Sequence, residues 1–191
     1  MNLPNKLTLG RIIAVPFFIA SYLIGFNHHF YIALIIFILA SITDFLDGQI
    51  ARKRNLITNF GKIMDPLADK VLVYSAFCLF VADGAMPAWM LIVILAREFL
   101  VAGVRMVAAS EGKVIAADMS GKIKTVLQMI AIPLILIFKG LTVNGFVPGV
   151  KEAPGAAFFN IASQLFLWAA LLMTVYSGIE YIVKNKDIFN E

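Results

Sequence analysis

Asp44 and Asp47 stand three residues apart, and Asp65 and Asp69 four apart, with a basic stretch between the pairs. On a helix each pair shares one face, so two neighbouring helices would bring four carboxylates to one place. In an apolar layer such a group repels itself and would protonate or fail to insert unless cations compensated it. Hard divalent cations answer that need. The ligands are oxygen only, with no His or Cys nearby in sequence, which favours Mg²⁺, Mn²⁺ or Ca²⁺ over zinc or copper. Two such ions would clamp a pyrophosphate and neutralise charge during an in-line displacement. The plainer reading of the four aspartates is helix capping and salt bridging, and Asp65-Pro66 does look like a helix start. Carboxylates inside membrane spans are costly without a use, so the metal reading is preferred.

The elements that carry these residues must lie in a bilayer. The 191 residues are 61% hydrophobic and 15% charged, with mean hydropathy +0.88, outside the soluble range. The expected fold is an all-α integral membrane domain covering residues 1–191, with six transmembrane helices at about 9–26, 30–53, 61–82, 87–110, 120–139 and 156–183. The start runs through Arg11 into apolar residues without a small-residue cleavage motif, which reads as a retained span. Lys6, Arg52, Lys53, Arg54, Lys62, Lys113, Lys122, Lys124, Lys184 and Lys186 fall on one set of breaks, against Lys139 and Lys151 on the other. The positive-inside rule therefore puts both termini in the cytoplasm. The net charge of +4 suits an anionic lipid surface rather than nucleic acid. Cys78, the single cysteine, reads as a small buried apolar residue. His28 and His29 read as solvated residues of an outer turn, and Lys139 to Gly155 as an outer loop without chemistry.

Two spans are too short as apolar rods. Val71 to Ala82 covers about 18 Å and Phe30 to Thr43 about 21 Å, against the roughly 30 Å of hydrocarbon. The helices must therefore continue through Asp69 toward Asp65, and through Asp44 and Asp47. Asp44 lies fourteen residues after Phe30, and Asp69 fourteen before Asp83, so antiparallel helices put these carboxylates in one layer. Lys124 is fifteen residues before Lys139, Arg11 sixteen before Asn27, and Arg105 eighteen after Pro87, which brings cations to nearly the same height. A cytoplasm-facing polar chamber follows. Arg97 and Glu98, near mid-span, read as an internal ion pair that fixes helix packing.

The whole pattern is Asp44-x2-Asp47-Gly48-x2-Ala51-Arg52-x8-Gly61-x3-Asp65-x3-Asp69. At all eight specified positions it resembles the signature of the CDP-alcohol phosphotransferase family. Asn5 to Arg11, Arg97-Glu98-Phe99 with Arg105, and Gly121 to Thr125 with Gln128 resemble its glycerol-phosphate branch. The resemblance implies that Asp44, Asp47 and Asp65 ligate metal, two ions of Mg²⁺ or Mn²⁺, with Asp69 completing the site and acting as general base. Burial beside the apolar half of its span suits Asp69 to that role. The nucleotide would lie against Gly48, Ala51, Arg52 and Gly61, where small residues permit close approach and an arginine can grip phosphate. The implied reaction transfers the phosphatidyl group of CDP-diacylglycerol to sn-glycerol 3-phosphate, giving phosphatidylglycerophosphate and CMP. An anionic acceptor needs cations, and Arg105, Lys122 and Lys124, with Arg11 beside them, are the expected phosphate holders. The resemblance also implies a homodimer in a bacterial plasma membrane, with the active site facing the cytoplasm. The alternatives are the same chemistry on inositol phosphate or serine, and a divalent cation transporter, in which Gly48, Ala51, Arg52 and Gly61 would have no needed role.

Overall fold

The computed structural model describes residues 3–53, 59–110, 112, 115, 118–143 and 155–186, and the side chains of 1–6, 44–63, 65, 66 and 69 lie outside that description. Six α-helices follow in order: α1 (Leu3–Leu23), α2 (His29–Lys53), α3 (Asn59–Ala82), α4 (Ala88–Ser110), α5 (Met119–Val143) and α6 (Ala156–Lys184). Most edges fall within a few residues of expectation. The exceptions are α1, which starts at Leu3, and α5, which runs past Lys139 to Val143. Two breaks have visible causes. Gly25 takes φ 68° beyond the end of α1, and Gly84 takes φ 76° beyond α3, where the Met86 N–H donates back to the Phe80 carbonyl at 3.1 Å.

The helix that carries Asp44 and Asp47 is continuous over 25 residues, about 37 Å. By sequence its apolar part stops at Thr43, and that of α3 runs only from Val71 to Ala82. Both aspartate pairs therefore extend helices past their apolar halves. Among the described residues, two helices, α5 and α6, are long and apolar enough to cross a membrane by length and composition.

Packing places α1 against α2 and α3, α5 against α6 and α2, and α4 against α6, while α3 touches α4 and α5. Phe18, Phe37, Phe77, Phe80, Ile94, Ile132 and Leu167 are fully enclosed between them. The outward faces are as apolar as the core: Phe17 is 63% exposed, Ile92 64% and Leu172 66%. A surface of that kind is matched by lipid and penalised by water.

At one end of the bundle Lys139 Nζ lies 2.8 Å from Asp83 Oδ2 and 5.7 Å from the centre of the Phe30 ring. The Tyr22 hydroxyl donates to the same carboxylate. These contacts tie α1, α5 and the residue that follows α3 together at one end of the bundle. Three expectations are corrected here. The outer loop expected from Lys139 starts later, because α5 runs on to Val143 and Lys139 pairs with Asp83 and the Phe30 ring within the bundle. His29 is buried at 7% exposure, its Nδ1 3.0 Å from the Tyr22 carbonyl, while only its neighbour His28 is exposed. Cys78 is exposed, since the inward face of that turn of α3 is filled by Phe77 and Phe80.

Gly140 marks a close crossing of α5 and α2. A Cβ there would stand 2.7 Å from Tyr31 Cζ, inside van der Waals contact. Gly140→Val is therefore expected to lower the melting midpoint of the detergent-purified protein by several degrees, since overpacking costs about 1–3 kcal/mol. An unchanged midpoint would show that the Tyr31 ring yields freely.

Candidate functional site

The chemistry-bearing residues divide between two regions. Asp44, Asp47, Gly48, Ala51 and Arg52 lie along the C-terminal half of α2, and Gly61, Asp65 and Asp69 along the N-terminal half of α3. The helical backbone keeps the three- and four-residue spacings, so each aspartate pair shares a helix face. The side chains of all eight lie outside the described residues.

Beside them, three of the four expected phosphate-holding cations meet. A cavity of about 460 Å³ is lined by Arg105 from α4 and by Lys122 and Lys124 from α5, together with Lys70, Arg97, Glu98, Asp118 and Tyr181. Lys70 directly follows Asp69, so the cavity adjoins the aspartate-bearing stretch of α3. Arg11 is elsewhere. It is buried at 3% exposure on a separate apolar groove between α1 and α2, whose lining reaches Thr43, the residue before Asp44. Its approach is thus from the α2 aspartate side.

Each cation of the cavity has its own environment. Arg105 is exposed, with Nε donating to Tyr181 Oη at 3.3 Å and its guanidinium 5.7 Å from the ring centre. Tyr181 is 1% exposed and so makes a fixed support. Lys122 is exposed on the wall. Lys124 is 3% exposed and donates to Glu98 Oε1, which also accepts from Arg97 Nη1 at 2.8 Å. Lys70 Nζ lies 3.3 Å from the other Glu98 oxygen. The Arg97–Glu98 pair is therefore present, midway along α4, and is wider than expected: one carboxylate serves cations from α3, α4 and α5.

Arg97 is the immobile member. Its Nε donates to Ser177 Oγ at 3.1 Å, and glycines flank it on two helices. A Cβ on Gly121 would come within 3.0 Å of Arg97 Nη2, and one on Gly178 within 3.1 Å of Arg97 Cγ. At the rim, Lys184 Nζ donates to Glu180 at 2.7 Å and to Asp118 at 3.3 Å, joining the end of α6 to the segment before α5.

Sequence reading did not assign Lys70, Glu98, Tyr181 or Asp118 to this cavity. For Lys70 a signal was available, since it directly follows Asp69 at the point where α3 turns apolar. Gln128 is a further case, 3% exposed one turn beyond Lys124, with Nε2 buried and without a hydrogen-bond partner among the described residues. Such a donor is costly unless a ligand satisfies it.

The profile of the CDP-alcohol phosphatidyltransferase family matches residues 1–176, and the chain belongs to that family. It is accordingly a phosphatidyl-transferring enzyme and a helical membrane protein. Among its relatives, the CDP-diacylglycerol--glycerol-3-phosphate 3-phosphatidyltransferase of Bacillus subtilis is 44% identical over 197 residues, covering 96% of this chain and 95% of that protein. The protein of the same name from Rickettsia felis is 36% identical over 188 residues, covering 98% and 97%. That from Salmonella paratyphi A is 36% identical over 175 residues, covering 89% and 91%.

Proposed function

We propose that this chain transfers the phosphatidyl group of CDP-diacylglycerol to sn-glycerol 3-phosphate, releasing CMP and forming phosphatidylglycerophosphate. The observation that carries this reading is the convergence of Arg105, Lys122 and Lys124 on one cavity next to the Asp65–Asp69 helix. A neutral acceptor has no use for such a cluster, whereas a phosphate monoester needs it. The names of the relatives support the same acceptor.

In this reading all six helices cross the bilayer of a bacterial plasma membrane, with both termini and a polar chamber facing the cytoplasm. The protein functions as a homodimer. Asp44, Asp47, Asp65 and Asp69 hold two Mg²⁺ or Mn²⁺ ions, a choice that fits their all-carboxylate donor set. Bound ions supply charge neutralisation for the pyrophosphate and for the departing CMP. Gly48, Ala51, Arg52 and Gly61 receive the nucleotide, and Arg11 adds positive charge from the α1 side. Arg105, Lys122 and Lys124 hold the acceptor's phosphate so that its free hydroxyl faces the β-phosphorus. Asp69 takes the hydroxyl proton as the new O–P bond forms, and the bond from that phosphorus to the bridging oxygen breaks, so CMP leaves with that oxygen.

The test is CMP release by purified protein given CDP-diacylglycerol and one alcohol at a time. Turnover is expected with glycerol 3-phosphate, is abolished by EDTA, and returns with Mg²⁺ or Mn²⁺. Turnover with inositol phosphate or serine instead would overturn the acceptor assignment.

A further inference from the structure

Among the described residues, the cavity's lining sets five cations, Lys70, Arg97, Arg105, Lys122 and Lys124, against the carboxylates Glu98 and Asp118. Asp118 is engaged at the rim by Lys184. Among the described residues, Glu98 is therefore the anion around which the interior charges are arranged, at 11% side-chain exposure. The Tyr74 hydroxyl bonds to it, and its three cationic partners differ in mobility. Arg97 is fixed by Ser177 and by the glycines on either side of it. Lys124 and Lys70 reach Glu98 on flexible four-carbon stems and can be handed to another anion without moving a helix.

We propose that Glu98 is an internal counter-anion that the acceptor's phosphate displaces from Lys124 and Lys70, so that it sets the charge an acceptor must carry to enter. This rests on the acceptor reading above for the identity of the ligand, but its physical content is competition between two anions for the same ammonium groups. A phosphate monoester carries close to two negative charges at neutral pH. It offers Lys124 more than one shared carboxylate does, while Glu98 keeps its bond to Arg97. A neutral alcohol offers nothing in exchange, and Lys124 stays with Glu98. Glu98 is a positioning residue in this scheme: it holds the cations ready and touches no reacting atom.

The test uses inorganic phosphate as the probe and the melting midpoint of the full-length protein in detergent as the readout, at constant ionic strength set with sodium chloride. Glu98→Gln removes the competing charge. The phosphate concentration giving half the maximal stabilisation is expected to fall by about tenfold, the scale of one charge-assisted hydrogen bond. Glu98→Asp keeps the charge but shortens its reach, and should give an intermediate value. Glycerol should stabilise none of the three proteins. If Glu98 merely holds the helices together, both variants will bind phosphate more weakly than the parent, which overturns the proposal. Unchanged binding overturns it too. Should Glu98→Gln not fold, Glu98→Asp decides, and binding no tighter than the parent's refutes the idea. Because the readout needs no turnover, its failure is distinct from failure of the glycerol 3-phosphate assignment, which would show only in the CMP assay.

Discussion

CMP release is expected to fall by about 10²–10⁴-fold when Asp69 is replaced by Asn, the range attached to a positioned general base. The substitution keeps the shape of the side chain but removes both its proton affinity and one negative charge from the four-aspartate set. α3 is helical on both sides of this position, so the change leaves the apolar half of the helix, with Ala76, Phe77 and Phe80 fully buried, to pack as before. The melting midpoint should therefore stay close to that of the parent while the rate collapses. The measurement is CMP release from CDP-diacylglycerol and glycerol 3-phosphate, alongside a melting curve on the same sample. Turnover within about threefold of the parent would remove Asp69 from the role of base, since even the weakest such contribution is larger.

Arg105→Ala should act on one substrate and spare the other. Arg105 reaches the cavity from α4 with its guanidinium backed by Tyr181. The nucleotide residues are on α2 and α3. Losing a charge-assisted contact to phosphate costs about 1.5–3 kcal/mol, so the KM for glycerol 3-phosphate should rise by about 10–100-fold. The KM for CDP-diacylglycerol should stay within about twofold. Arg105→Lys should recover part of the loss, because an ammonium restores the charge without the planar fork. Steady-state kinetics with each substrate varied in turn separates these outcomes. Equal rises for both substrates would mean that Arg105 supports the whole site rather than the acceptor.

The helices were legible because charge and apolar length constrain each other in this chain. Thr43 and Val71 bound apolar runs too short to span alone, and the structure carries both helices through the aspartates. The same count put Asp83 and Lys139 at one level, and they meet at 2.8 Å. Position around each helix axis was not legible. Counting residues gives height, and Arg11 and Lys124 have nearly equal height, yet Arg11 faces the α1–α2 groove and Lys124 faces Glu98. The rotation of a helix is set by which neighbours it packs on, and near-uniformly apolar helices leave only a faint stripe to read it from. Adjacency in the chain makes Glu98 legible as Arg97's partner. Its bonds to Lys124 and Lys70 exist only because α4, α5 and α3 come together in space. His29 reads as polar, but its carbonyl partner on Tyr22 lets it sit inside.

The pooled positive charge has a cost on the way out. The acceptor's phosphate survives the reaction, so under the proposed chemistry the product carries the same dianionic group that drew the acceptor in, now joined to two acyl chains. Attraction that is equal before and after the chemical step speeds neither direction, and it lengthens the stay of whatever has just been made. Ala102 and Val126, both exposed, line the wall beside Arg105 and Lys122, and such an apolar margin would let a lipid tail slide toward the bilayer while its headgroup is still held. Departure would then be a contest between tail and headgroup, in which Glu98 helps by reclaiming its lysines.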